Sequence, residues 1–137
     1  MIRLLPALIL MVVASTAAQP AFAIKQLNDQ FKKLYAGEDA NEEFKAKVAE
    51  AKCNVCHINR ESKKKRNPYG AAMHEALEKA EFPIKEFKKD PEKYADEVKK
   101  ILEKVAGEKT GDEKYETFAA RMKANLLPGG NKDGKQD

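Results

Sequence analysis

From Ile24 onward, apolar positions recur every three or four residues, the period of a helix with one buried face. Ile24, Leu27, Phe31, Leu34 and Tyr35 make the first stripe, closed by Gly37. Asp39 followed by Glu42 reads as a variant capping box. It opens a second helix carrying Phe44, Val48 and Ala51 on one side and running into Cys53. Asn67-Pro68 supplies a cap and a proline at the first helical position, and Tyr69, Ala72, Met73, Ala76, Leu77 and Ala80 follow as a third stripe. Phe82-Pro83-Ile84 breaks that run, with Phe87 helping to close the core. Asp90-Pro91 repeats the cap-plus-proline start ahead of Tyr94, Val98, Ile101, Leu102 and Val105, and Gly107 ends the helix. Thr110 and Glu113 form a further capping box, leading to Tyr115, Phe118, Ala119, Met122 and Leu126 before Pro128-Gly129-Gly130 stops the last helix. There is no strand-period alternation and no internal repeat. The pattern predicts an all-α bundle of four to five helices.

The two ends do not belong to that bundle. Residues 1–23 read as a secretory signal peptide: Arg3 gives the positive start, Leu4 to Val13 the apolar stretch, and Ala21-Phe22-Ala23 a small-x-small cleavage site. The apolar run is short for a membrane span, although an uncleaved anchor is the alternative. Cleavage would leave a chain beginning at Ile24, with no stable membrane span. Residues 24–130 then form one domain, and the polar tail 131–137, with no apolar residue, is expected to be disordered.

Charge narrows the function classes. Acidic and basic residues make up 35% of the chain and are interleaved, with a formal net charge of +4, so they read as solvated helix faces. No nucleic-acid motif accompanies them. One basic run stands apart, Lys63-Lys64-Lys65-Arg66 in the polar stretch between Ile58 and Asn67. It is either a solvent-exposed loop or a positive rim that steers an acidic partner.

The chemistry concentrates in Cys53-Asn54-Val55-Cys56-His57, which holds both cysteines of the chain. C-x-x-C-H is the attachment pattern of a c-type haem. Two thiols at this spacing can each form a thioether with one porphyrin, and the adjacent His57 can offer an imidazole nitrogen to the iron as proximal ligand. Three other readings compete. A thioredoxin-like pair normally accompanies a βαβ pattern, which is missing here. Cys53, Cys56, His57 and His74 are enough ligands for a tetrahedral zinc, though not at finger spacing. A Cys53–Cys56 disulfide would close a small strained ring.

With Cys53, Cys56, His57 and the downstream Asn67-Pro68-Tyr69-Gly70 in view, the stretch from Phe44 to Leu77 resembles a small monohaem cytochrome c of class I type. The resemblance implies one covalently attached haem c. It implies export too, because bacterial haem attachment takes place outside the cytoplasm, and so a periplasmic or otherwise exported protein. In that family the carbonyl of a proline-containing loop accepts a hydrogen bond from the proximal histidine, which makes Pro68 the matching residue and fixes the orientation of His57. The family usually draws a sixth iron ligand, a methionine, from a loop before the final helix. The loops at 81–90 and 107–112 hold no methionine, which leaves Met122, Met73 and His74 as candidates, or a five-coordinate iron.

The expected function is a one-electron carrier, probed by redox protein partners that are acidic if the basic run docks them, and working as a monomer. No catalytic constellation of Ser, Asp or Glu is legible, so an enzyme acting alone is not expected. The alternative is a haem-based binder or sensor of small ligands with an open distal site.

Overall fold

The computed structural model describes residues 24–136, so the expected signal peptide lies outside the described residues. Six helices follow in order: α1 (Lys25–Tyr35), α2 (Glu42–Ala51), α3 (Pro68–Lys79), α4 (Ile84–Lys89), α5 (Ala95–Ala106) and α6 (Phe118–Lys123). Short 3-10 turns, Lys52–Val55 and Glu92–Tyr94, lead into Cys56-His57 and α5 respectively. Among the described residues there is no β-strand, as the apolar periodicity requires, and no helix is long and apolar enough to cross a membrane.

Helix α5 is the central element, packed against both α1 and α3. Its core-facing side chains, Val98, Ile101, Leu102 and Val105, are buried as their i, i+3, i+4, i+7 spacing predicts. Aromatic edges join the other helices to one another. The Tyr69 ring meets Phe31 of α1 at 5.7 Å and Phe118 of α6 at 5.2 Å, both edge-on. A second group, Phe82, Phe87 and Tyr94, packs the α4 corner. Such edge-to-face pairs add to the stabilisation from burial alone.

Several boundaries differ from the sequence expectation, each for a local reason. Asn41, not Asp39, caps α2, its side chain accepting from the Glu43 N–H at 2.8 Å. Ala36, not Gly37, caps α1. The Phe82-Pro83-Ile84 break holds its own short helix, α4, which buries Phe87 completely. Asp90-Pro91 does not open α5 directly; a 3-10 turn intervenes. The Thr110–Glu113 capping box does not form. Thr110 instead closes a loop, donating to the Tyr115 carbonyl at 2.5 Å and accepting from the Asp112 N–H at 2.8 Å. The helix starts only after Thr117, whose hydroxyl accepts from the Ala120 N–H.

The polar tail folds back on the motif, residues 131–136 forming a hydrogen-bonded turn. The Asn131 side chain accepts from the N–H groups of Asp133 and Lys135, an Asx-type turn. Asp133 O then accepts from the Asn59 N–H at 2.8 Å, and Lys132 O from the Asn54 side chain at 3.2 Å. Main-chain hydrogen bonds need no apolar residue, so hydropathy could not report this docking.

Candidate functional site

Helix α2 ends where the motif begins. Lys52 takes φ 52°, ψ −118°, dihedrals that suit glycine and turn the chain out of the helix. The 3-10 turn then places Cys56 N–H and His57 N–H on the Cys53 carbonyl, at 3.2 and 3.0 Å. A single antiparallel bridge joins His57 to Arg66, and the Asn67 N–H donates to the Cys56 carbonyl at 3.1 Å. The basic loop is therefore an excursion pinned at both ends, with Lys63, Lys64 and Lys65 exposed.

Cys53, Cys56 and His57 line one cavity of about 140 Å3. Ile24, the cap of α1, and Lys25, Leu27 and Asn28 of α1 form one wall, and Gly70, Met73, His74 and Leu77 of α3 another, with Arg66 completing the lining. Cys53 is exposed and Cys56 half-buried, and the two are not bonded to each other. Burial of the Cys56 thiol pushes its pKa up to about 12; the Cys53 thiol adds to this and Arg66 opposes it. A thiol so protonated is a poor thiolate nucleophile at neutral pH. His57 is 8% exposed. Its pKa is held below the usual imidazole range by burial, against the opposing Lys65 main-chain carbonyl, with Lys63 and Arg66 adding to the depression. Its buried Nδ1 is left without a hydrogen bond of ordinary geometry among the described residues, as is Asn28 Oδ1 on the facing wall.

The sequence-predicted residues divide clearly. Met73, 2% exposed, and His74 line the cavity with the motif. His74 is otherwise a surface residue, 3.4 Å from Glu78. Met122 does not line this cavity; it is buried in the helical core on α6. Pro68 also stands elsewhere. It is the first residue of α3 and lines a second, polar cavity of about 330 Å3. Among main-chain carbonyls, that of Lys65 is the one that raises the His57 pKa. Among the described residues no three of His, Cys, Asp and Glu gather to hold a metal ion, so Cys53, Cys56, His57 and His74 do not form a four-ligand zinc cluster. A haem iron asks only axial ligands of the protein and is not addressed by that clustering.

In the second cavity Arg121, 5% exposed, places Nη1 2.6 Å from Asp112 Oδ2 and donates through Nε to the Leu127 carbonyl at 3.0 Å. Asp112 is held below the usual carboxylate range, first by the Lys114 N–H and also by Arg121 and the Tyr115 N–H. This pair ties the 110–117 loop to the chain following α6. Asn67, read from the sequence as a helix cap and as part of Asn67-Pro68-Tyr69-Gly70, has a further role: its carboxamide also donates to the carbonyls of Asn54 and Val55, both at 3.0 Å.

No protein-family model matches the chain, and neither a curated protein nor a solved structure matches it. The functional reading therefore stands on the motif and its surroundings.

Proposed function

We propose that the protein is an exported monohaem c-type cytochrome that carries single electrons. The observation that supports this reading is the convergence of Cys53, Cys56 and a nine-tenths-buried His57, its Nδ1 without a hydrogen-bond partner among the described residues, on one cavity with apolar walls. The donor set fits haem c in kind: two thiols for thioethers, and an imidazole held neutral by burial and therefore free to ligate. The cavity itself is smaller than a porphyrin, so a wall must open to admit one. Helix α1 buries only Phe31 completely among its eleven residues and is the wall least anchored in the core.

When bound, haem c supplies a one-electron iron couple. The chain's own contribution is to fix the ring by two cysteines, orient His57, exclude water with Ile24, Leu27 and Leu77, and place Arg66 and Lys25 at the rim, where carboxylates of the group would be paired. Met73 is the candidate sixth ligand that both lies in the cavity and is withdrawn from solvent; His74 is the second.

The test is a reduced-minus-oxidised absorption spectrum of the exported chain, with intact mass on the same sample. Sharp reduced haem bands and a mass gain of one haem are expected. A colourless protein without that mass, made by cells with an active maturation system, overturns the proposal. In the ferric protein the long-wavelength methionine-to-iron band tests Met73. Its absence together with binding of carbon monoxide to the reduced form would support the ligand-binding alternative.

A further inference from the structure

Asn67 uses its whole carboxamide on main-chain groups. Oδ1 accepts from the Gly70 N–H at 2.9 Å and caps α3. Nδ2 donates to Asn54 O and Val55 O at 3.0 Å each, while the residue's own N–H holds Cys56 O at 3.1 Å. The three consecutive carbonyls of Asn54, Val55 and Cys56 are thus bound by one residue outside the motif. The orientation of the amide is unambiguous, because two carbonyls demand the donor end and an N–H demands the acceptor end.

The backbone of Gly129 lies against this amide so closely that a Cβ there would stand 2.3 Å from Cγ, Nδ2 and Oδ1 alike. Asn67 is 1% exposed. Its amide is held by hydrogen bonds on its edges and by the C-terminal segment on its face.

We propose that Asn67 is the positioning residue of the C-x-x-C-H turn, holding the Asn54–Cys56 main chain so that Cys53, Cys56 and His57 face the cavity in a fixed geometry. The consequence at iron rests on the cytochrome reading; the clamp on the turn does not. Asn67→Ser separates capping from clamping. A serine hydroxyl still caps α3 but cannot span both Asn54 and Val55. Thr117→Ala is the control: it removes the cap of α6, a hydrogen bond of 3.1 Å to Ala120 N–H, without touching the turn.

Amide hydrogen exchange on the full chain reads the clamp directly. At matched global stability, exchange of the Cys56 and His57 N–H groups is expected to accelerate about tenfold or more in Asn67→Ser, the equivalent of one lost hydrogen bond to a buried carbonyl, and not in Thr117→Ala. In haem-loaded protein, losing a contact that holds the ligand-bearing turn weakens ligand hold about tenfold or more, so the acid midpoint at which the native ferric spectrum disappears should rise by about one pH unit in Asn67→Ser alone. Exchange at the wild-type rate in Asn67→Ser overturns the proposal. Equal acid midpoints in the two variants would overturn its consequence at iron. If the wild-type chain carries no haem mass, the cytochrome reading fails while the exchange result still decides the clamp. Should Asn67→Ser not fold, the wild-type chain supplies the test: the Asn67 carboxamide protons must exchange about a hundredfold slower than those of the exposed Asn131, and free exchange refutes the clamp.

Discussion

Gly70→Ala is the sharpest test of how α3 meets the C-x-x-C-H turn. Within a helix this change ordinarily stabilises by up to about 1 kcal/mol, because alanine loses less backbone freedom. Here the added Cβ would stand 1.9 Å from the Cys56 carbonyl oxygen, 2.7 Å from its carbon and 3.0 Å from Cys56 Cα. All three are main-chain atoms, and the carbonyl is pinned by the Asn67 N–H, so no flexible side chain can give way. Restoring an ordinary contact of 3.4 Å means opening the α3-to-turn interface by roughly 1.5 Å. Overpacking of that order costs about 1–3 kcal/mol, and stretching the Asn67 bonds across the same interface adds about 1 kcal/mol for each one lost. A net loss of about 2–4 kcal/mol is expected. Urea denaturation of wild type and variant in the same haem state measures it, read as a fall in midpoint at unchanged slope. Gly107→Ala is the paired control, since its Cβ would meet only the Lys104 carbonyl oxygen at 3.4 Å and its φ of −80° suits alanine. If Gly70→Ala is as stable as Gly107→Ala, α3 does not approach Cys56 this closely and the described wall of the cavity is wrong.

Two further outcomes follow from buried polar groups. Tyr69 is fully buried with its hydroxyl unpartnered among the described residues, so Tyr69→Phe should keep or raise stability, by up to about 1 kcal/mol; a clear loss in thermal or urea unfolding would mean that the hydroxyl has a partner. The Asp112 carboxyl is held below its ordinary pKa of 3.8, so the stability it contributes is complete above that value and is lost as pH falls through the lower, folded-state value. Asp112→Asn should therefore flatten the acid limb of the stability curve below about pH 4, and an unchanged limb would dismiss the Asp112–Arg121 tie as a stabilising contact.

How much could be read from the sequence depended on whether a residue's partners lay nearby in the chain. Asn67-Pro68 was legible as a helix start because the cap bond runs only to Gly70. The stripes of α3 and α5 were legible because burial of Tyr69, Met73, Val98 and Leu102 follows from helical period alone. Thr110 misled because its hydroxyl had two local uses, a capping box or a closed loop, and the Lys109–Thr117 bridge selects the loop. For Met122, distance from His57 along the chain carries no information about where α6 packs; the Tyr69–Phe118 contact sets that helix in the aromatic core. Pro68 is the first residue of α3, the position that its pairing with Asn67 makes legible.

The closest backbone approaches around the motif come from glycines remote in sequence. Gly70 abuts the Cys56 carbonyl, Gly129 the Asn67 amide, and Gly134, at φ +72°, the His57 carbonyl, where a Cβ would stand 1.9 Å away. Each allows a backbone to lie where any side chain would hold it off. Two of the three belong to the last ten residues of the chain, which also bring Lys132 O and Asp133 O to Asn54 and Asn59. The pentapeptide therefore cannot reach this shape from local propensity; indeed its entry through Lys52 runs against propensity, at a positive φ without glycine. Its geometry is imposed by α3 on one side and by the C-terminal turn on the other. A five-residue motif specifies which atoms can bind, but the fixed direction in which they point is a property of residues 67–70 and 129–134.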